Sequence, residues 1–149
     1  MVSAKETPQS SARNMTAVRA SQQAFRQTRR DHATETAEDY VELIDRLSDD
    51  RGEVRLVDIA KHMGVSPVTV NQTLSRLQRA GLVRKEPYRA VFLTAEGKNL
   101  ATRSRNRHEV VVRFLCTIGV PDVQAAIDAE GIEHHISAVT LQKMTEFIG

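Results

Sequence analysis

Three residues near the end of the chain, Glu130, Glu133 and His134, stand at i, i+3 and i+4. On a helix this spacing puts the side chains on one face, with Cβ atoms roughly 5–6 Å apart. Two carboxylates and an imidazole held that close repel or desolvate one another unless a cation lies between them. Such a set suits a divalent metal with mixed oxygen and nitrogen ligands. A solvated acidic helix face would carry the same residues, and the spacing alone leaves both readings open. The surrounding stretch, Asp128 to Ser137, also holds His135, whose side chain would point about 100° away from that of His134.

The elements that would have to position these groups are mostly helical. The chain has 149 residues, many charges, few aromatics and no Trp, which favours helices packed by aliphatic side chains. Its net charge is only +2, but the charge is unevenly spread. Between Arg55 and Leu93, seven basic residues face two acids, Asp58 and Glu86. From Val120 onward, five acids face one Lys143. A basic middle suggests an anionic partner, and an acidic end suggests a cation. The single Cys116 excludes an internal disulfide and fits a reducing compartment. No apolar run approaches the roughly 20 residues of a membrane span. The start of the chain lacks the apolar core of a signal peptide. The expected location is cytoplasmic.

Residues 1 to about 14 are small and polar and read as a disordered tail. A helix is permitted from about Met15, and its arginines are expected to be solvated rather than to grip DNA. From Ala37, the residues Tyr40, Val41, Ile44 and Leu47 recur at helical spacing. That helix should end at Gly52. A short helix with Val57, Ile59, Ala60 and Met63 inside is expected to stop at Gly64. Ser66 is then an N-cap with Pro67 at the first helical position. Val70, Leu74 and Leu77 face inward on the next helix. Two short helices joined by a tight Gly-containing turn predict a helix-turn-helix.

Leu82–Glu86 and Ala90–Leu93 predict two short strands around a turn. A hairpin directly after the second helix is the wing of a winged helix. Thr94 should cap a long helix carrying Leu100, Val111, Phe114 and Leu115, broken at Gly119-Val120-Pro121. Leu141, Met144, Phe147 and Ile148 predict a last amphipathic turn or two. The expected fold is therefore mainly α: a winged helix-turn-helix over residues 35–93, then an all-helical dimerisation and metal-binding domain over 94–149. Residues 1–34 form a partly disordered tail.

On such a module the N-terminal part of the second helix meets the bases of the major groove. Its outward residues are Ser66, Pro67, Val68, Thr69, Asn71, Gln72, Ser75 and Arg76. Asn71 and Gln72 suit adenine, and Pro67, Val68 and Thr69 suit thymine methyls. Arg76 suits phosphate, and Arg84, Lys85 and Arg89 on the wing suit the backbone or a minor groove. One module makes few contacts, so a homodimer on two half-sites of double-stranded operator DNA is expected.

Several separated motifs now coincide. Ala37-Glu38-Asp39-Tyr40-Val41-Glu42, Val65-Ser66-Pro67, Arg107-His108-Glu109 and Asp128–His135 together resemble the diphtheria-toxin-repressor family, most closely its manganese-responsive branch. The resemblance covers residues from about 35 to 149. It implies a homodimeric repressor whose metal ligands would be Asp39, Glu42, His108, Glu130, Glu133 and His134. The iron-responsive branch typically has a sulfur residue where this chain has Glu130, so the resemblance implies Mn2+, in two sites per subunit, with Fe2+ as the alternative. It further implies repression of manganese uptake genes. His135 and Glu109 are expected outside the ligand set, and His32 and His62 on the surface. Two other readings remain: an iron-responsive repressor of the same family, and a winged-helix regulator sensing a different ligand. An enzyme is not expected. His108-Glu109 begins like a zinc-protease helix, but Val112 stands where the second His would be.

Overall fold

A computed structural model of the chain describes residues 8–87 and 90–149. They divide into two compact units, one ending at Thr34 and one running from Glu35 to Gly149. The helix α1, Pro8–Arg51, supplies the first unit up to Thr34 and opens the second. The elements that follow are α2 (Leu56–Met63), α3 (Pro67–Arg79), β1 (Val83–Lys85), β2 (Val91–Leu93), α4 (Ala95–Thr117), α5 (Asp122–Ile132) and α6 (Ala138–Ile148).

In the second unit, Tyr40, Val41, Ile44 and Leu47 are all buried, as their spacing requires. Gly52 ends α1 in the left-handed region at φ 77°, with its N–H donating to the Ser48 carbonyl at 2.8 Å. The inward face of α2 differs from expectation. Val57 is 60% exposed, and Leu56 packs on the core instead. The reason is phase: Leu56, Ile59, Ala60 and Met63 stand at i, i+3, i+4 and i+7, a better helical stripe than one starting at Val57. Ser66 caps α3 by accepting the Thr69 N–H at 3.2 Å. Val70, Leu74 and Leu77 are buried beneath it.

The strands β1 and β2 pair antiparallel with Val83 opposite Leu93 and Lys85 opposite Val91. Val54 adds an isolated bridge to Val91, so the wing sheet is also tied to the segment before α2. Tyr88 and Arg89 lie outside the described residues.

The junction from wing to α4 is tight. Thr94 accepts the Gly97 N–H at 3.1 Å, and its hydroxyl donates to the Gly81 carbonyl at 2.6 Å. A Cβ at Gly97 would stand 2.0 Å from the Leu82 carbonyl oxygen, so only glycine lets the helix approach the backbone this closely. Gly97→Ala is expected to destabilise the fold by about 3 kcal/mol, through forced separation of packed backbones. A shift of the urea midpoint without a change in slope checks this.

Beyond the junction, α4 packs against both α5 and α6. Ala101, Val111, Ala125 and Ala129 are fully buried. Phe114 and Phe147 meet edge to face with centroids 5.5 Å apart, joining α4 to α6. Two expectations are corrected here. The helix α1 starts at Pro8, within the stretch expected to be disordered, because Pro fits the first helical position and no breaker follows before Gly52. The helix α6 is also a full element of 11 residues rather than a turn or two, with Ser137 as an N-cap that accepts the Thr140 N–H.

Candidate functional site

The helix α5 ends at Ile132, so Glu133 and His134 lie just past it, in the turn before α6. Helical backbone nevertheless reaches Glu133, whose N–H donates to the Ala129 carbonyl, so Glu130 and Glu133 share a face as their spacing suggested, and His134 follows in the turn. The chain turns before Ser137, and Glu133 and His134 point inward. The Glu133 and His134 side chains are each only 3% exposed, while that of Glu130 is 70% exposed.

Three segments converge there: α1, α4 and the turn after α5. His108 on α4 donates from Nδ1 to Glu133 Oε2 at 2.5 Å, and the same nitrogen lies 3.7 Å from Glu130 Oε1. His108, Glu130 and Glu133 each offer one ligand atom, all within 4.8 Å of one another. On the other side, His134 Nε2 lies 3.4 Å from Glu133 Oε1 and 3.5 Å from Asp39 Oδ1. The two oxygens of Glu133 thus face two different histidines. Asp39, Glu42 and Glu130 line one open cavity of about 480 Å³, beside Arg46 and Arg105.

The electrostatics are those of crowded acids. Burial lifts Asp39 to about 6, with Glu35, Glu42 and Glu130 adding to the rise and His134 opposing it. Burial also raises Glu133, against the hydrogen bond from His108. For His134 burial alone would lower the pKa, but the bond to Glu38 and the nearby charges of Glu133 and Asp39 raise it overall. Carboxylate oxygens and imidazole nitrogens gathered in this way fit a divalent cation, which would replace the retained protons.

Glu38 is a site residue that sequence reasoning missed. It is 2% exposed, and its Oε2 accepts from His134 Nδ1 at 2.6 Å. Arg107 Nη1 donates to both Glu38 oxygens at 3.2 Å and to the Glu133 carbonyl at 3.4 Å. With Nδ1 engaged, the His134 ring presents Nε2 to Asp39 and Glu133. A carboxylate behind a histidine in this way fixes the ring and raises its basicity as a ligand. The available signal was position: Glu38 and Asp45 are seven residues apart on the face of α1 that carries Val41. Asp45 is also buried and is paired with Arg105 and, at 3.7 Å, Lys98. The remaining candidates stand apart. The His135 side chain is 44% exposed, with Nε2 3.7 Å from Glu35, and Glu109, His32 and His62 are exposed.

On the helix-turn-helix, Ser66, Pro67, Val68, Thr69, Asn71, Gln72 and Arg76 are all exposed, and Val68 is 67% exposed. Asn71 is not free on its acceptor side, because its Oδ1 takes a 2.7 Å bond from Lys85 Nζ on the wing. Lys85 is half-buried for the same reason. Arg84 is exposed and stacks over the Phe92 ring at 5.4 Å. Arg89 falls outside the described residues.

Comparison with known proteins bears on this arrangement. The N-terminal DNA-binding domain of iron-dependent repressors matches residues 32–91. The metal-binding and dimerisation domain of the same repressors matches residues 94–149. The chain belongs to the iron-dependent repressor family. This family is also that of the diphtheria-toxin repressors, and its members are DNA-binding transcriptional regulators rather than enzymes. The chain is 49% identical to the transcriptional regulator MntR of Escherichia coli over 125 residues, covering 84% of this chain and 81% of that protein. The corresponding figures for MntR of Salmonella typhimurium are 47%, 84% and 80%. A solved structure described as a manganese-dependent transcriptional repressor in complex with manganese superposes with a TM-score of 0.67 at 27% identity. It covers 76% of this chain, which spans about half (52%) of that longer one. Among the described residues no helix is long and apolar enough to cross a membrane.

For a metal-binding member of this family, the raised pKa values predict opposite pH trends for metal binding and for metal-free stability. Asp39, Glu133 and His134 all hold protons in the metal-free fold more tightly than they otherwise would. Their contribution to metal-free stability is present at low pH and lost as pH rises, for Asp39 between its ordinary 3.8 and about 6. A metal must displace the proton of Asp39, so its affinity falls as pH drops below about 6, by up to about tenfold per unit, and the raised Glu133 and His134 add to the same trend. Metal titrations at a series of pH values, beside thermal melts without metal, check both trends.

Proposed function

We propose that this chain is a manganese-responsive repressor that binds operator DNA as a homodimer. The observation that carries the reading is Glu133, whose two oxygens face His108 on one side and His134 on the other. Two ions would share that carboxylate. Asp39, Glu133 and His134 would hold one, and His108, Glu130 and Glu133 the other, with Glu42 completing the set from the cavity wall. Four carboxylates against two imidazoles, with no sulfur, form a hard donor set of the kind manganese accepts. The names of the relatives, regulators of the MntR type and a manganese-dependent repressor, support the same ion.

When bound, the metal supplies positive charge at a point where α1, α4 and the turn after α5 meet. The chain's own residues do the rest. Asp39 and Glu42 belong to a helix whose core residues also pack beneath α3, and His108 belongs to the helix that follows the wing. Holding these segments together would pre-organise the DNA-reading surface, a coupling of about 1–3 kcal/mol in typical regulators. Ser66, Pro67, Val68, Thr69, Asn71, Gln72 and Arg76 would face the groove, and Arg84, Lys85 and Arg89 the backbone. The DNA-reading part would span residues 35–93, and dimerisation would use residues 94–149. Val123, Ile127, Val139 and Phe147 are exposed apolar side chains there, and a second subunit would cover them. A single thiol, Cys116, suits the cytoplasm.

The deciding experiment measures operator binding during titrations with manganese, iron(II), zinc and cobalt at fixed salt. Manganese at micromolar levels should switch binding on. A response to zinc alone would overturn the assignment of the ion, and equal binding with and without any metal would overturn the mechanism.

A further inference from the structure

The first unit carries a charge pattern that the metal-dependent module does not use. Between Pro8 and Thr34 there are five arginines and a single acid, Asp31. The segment is helical, so the pattern becomes a face. At about 100° per residue, Met15, Val18, Arg19, Phe25, Arg26, Arg29 and Arg30 fall within a sector of roughly 140°. The other side is made of small residues such as Ala17, Ala20 and Ala24. Among the described residues no carboxylate pairs with Arg19, Arg26, Arg29 or Arg30, and Asp31 is engaged by Gln27 at 2.7 Å. All four arginines are exposed.

We propose that this arginine face of α1 is a second contact surface for DNA phosphates, separate from the winged helix. Its partner is selected by charge. Arg19 to Arg30 spans about 16 Å of helix, and duplex DNA offers one negative charge per roughly 1.7 Å of its axis. A second copy of this face would set arginine against arginine, so self-pairing through it is disfavoured. A bilayer needs a broad apolar face, and Met15, Val18 and Phe25 alone, interrupted by Gln22, do not make one. Because the helix is joined covalently to a DNA-binding unit, each docking event raises its effective concentration near the same duplex. The contact carries no base information. It adds affinity on any sequence and leaves the specificity ratio unchanged. The tail expected from sequence to be merely solvated thus acquires a role once its residues are helical. This inference rests on the chain binding DNA, as its family does.

The test uses the full metal-loaded chain and a fluorescent duplex of mixed sequence, followed by anisotropy across a salt series. The variant replaces Arg19, Arg26 and Arg30 with Gln, and a second variant replaces the same three with Lys. The Gln variant should bind about tenfold more weakly at low salt, with the log–log salt slope flatter by about 2–3. The Lys variant should restore both, and circular dichroism should show the helix retained in each. An unchanged slope and affinity in the Gln variant would overturn the proposal. So would an unchanged slope accompanied by loss of flotation with phosphatidylglycerol vesicles, which would assign the face to a membrane surface. If the wild-type chain itself bound no duplex with metal present, the regulator reading would fail first, and this proposal with it.

Discussion

Replacing Glu133 with Ala is expected to abolish metal-stimulated DNA binding, lowering metal affinity by at least about 100-fold. Among the described residues, no other side chain at the site contacts both histidines. Its Oε2 accepts from His108 at 2.5 Å, and its Oε1 lies 3.4 Å from His134 Nε2. Removing it would take a ligand atom from each side of the proposed pair at once, whereas removing Glu130, which is far more exposed, would take one. The metal-free fold should tolerate the change, because burial already disfavours the ionised carboxylate. Isothermal titration with manganese checks the affinity, and a thermal melt without metal checks the fold. If Glu133→Ala still bound two ions with near wild-type affinity, the shared-carboxylate arrangement would be wrong.

Glu38→Ala is expected to damage both fold and metal affinity, by separable routes. Glu38 is buried between Arg107 and His134 and satisfies both. Without it a half-buried guanidinium loses its carboxylate and a buried imidazole N–H loses its acceptor, which costs about 3 kcal/mol. The His134 ring also loses the bond that presents Nε2 to Asp39 and Glu133, which weakens metal binding about 10–100-fold. Glu38→Gln separates the two routes. An amide oxygen can still accept from His134 Nδ1, so the ring orientation survives while the ion pair with Arg107 does not. The expected result is restored metal affinity in Glu38→Gln with stability still reduced. Equal loss of affinity in both variants would show that charge, rather than orientation, is what Glu38 contributes.

What could be read from sequence was what depends on neighbours in the chain. The helix-turn-helix was legible because Gly64, Ser66, Pro67 and the Val70–Leu74–Leu77 stripe act within a few residues of each other. The residue types gathered at the candidate metal site were legible for the same reason, as pairs and triplets at helical spacing. Their geometry was not. Whether Glu133 and His134 continue α5 or leave it depends on where α6 returns, and that is set by its packing on α4. Glu38 was hidden among Glu35, Asp39 and Glu42. Which of these acids is buried is decided by Arg107, 69 residues further along. The contact at Gly97 belongs to the same class: a glycine in the first turn of a helix carries no mark of the carbonyl it must approach.

That contact has a mechanical meaning. One end of α4 is fixed to the wing, through Gly97 against Leu82 and Thr94 against Gly81. Eleven residues along the same rod, about 16 Å away, sits His108. Lys85 ties the wing to α3 through Asn71 at 2.7 Å. The helix is then a lever with its fulcrum at Gly97. A sideways displacement of about 1 Å at His108 turns the far end by roughly 3–4°, taking the helix as a straight rod. Information about the ion would then reach DNA as an angle as well as through pre-organisation. Residues at the fulcrum would set the gearing between metal and operator without touching either.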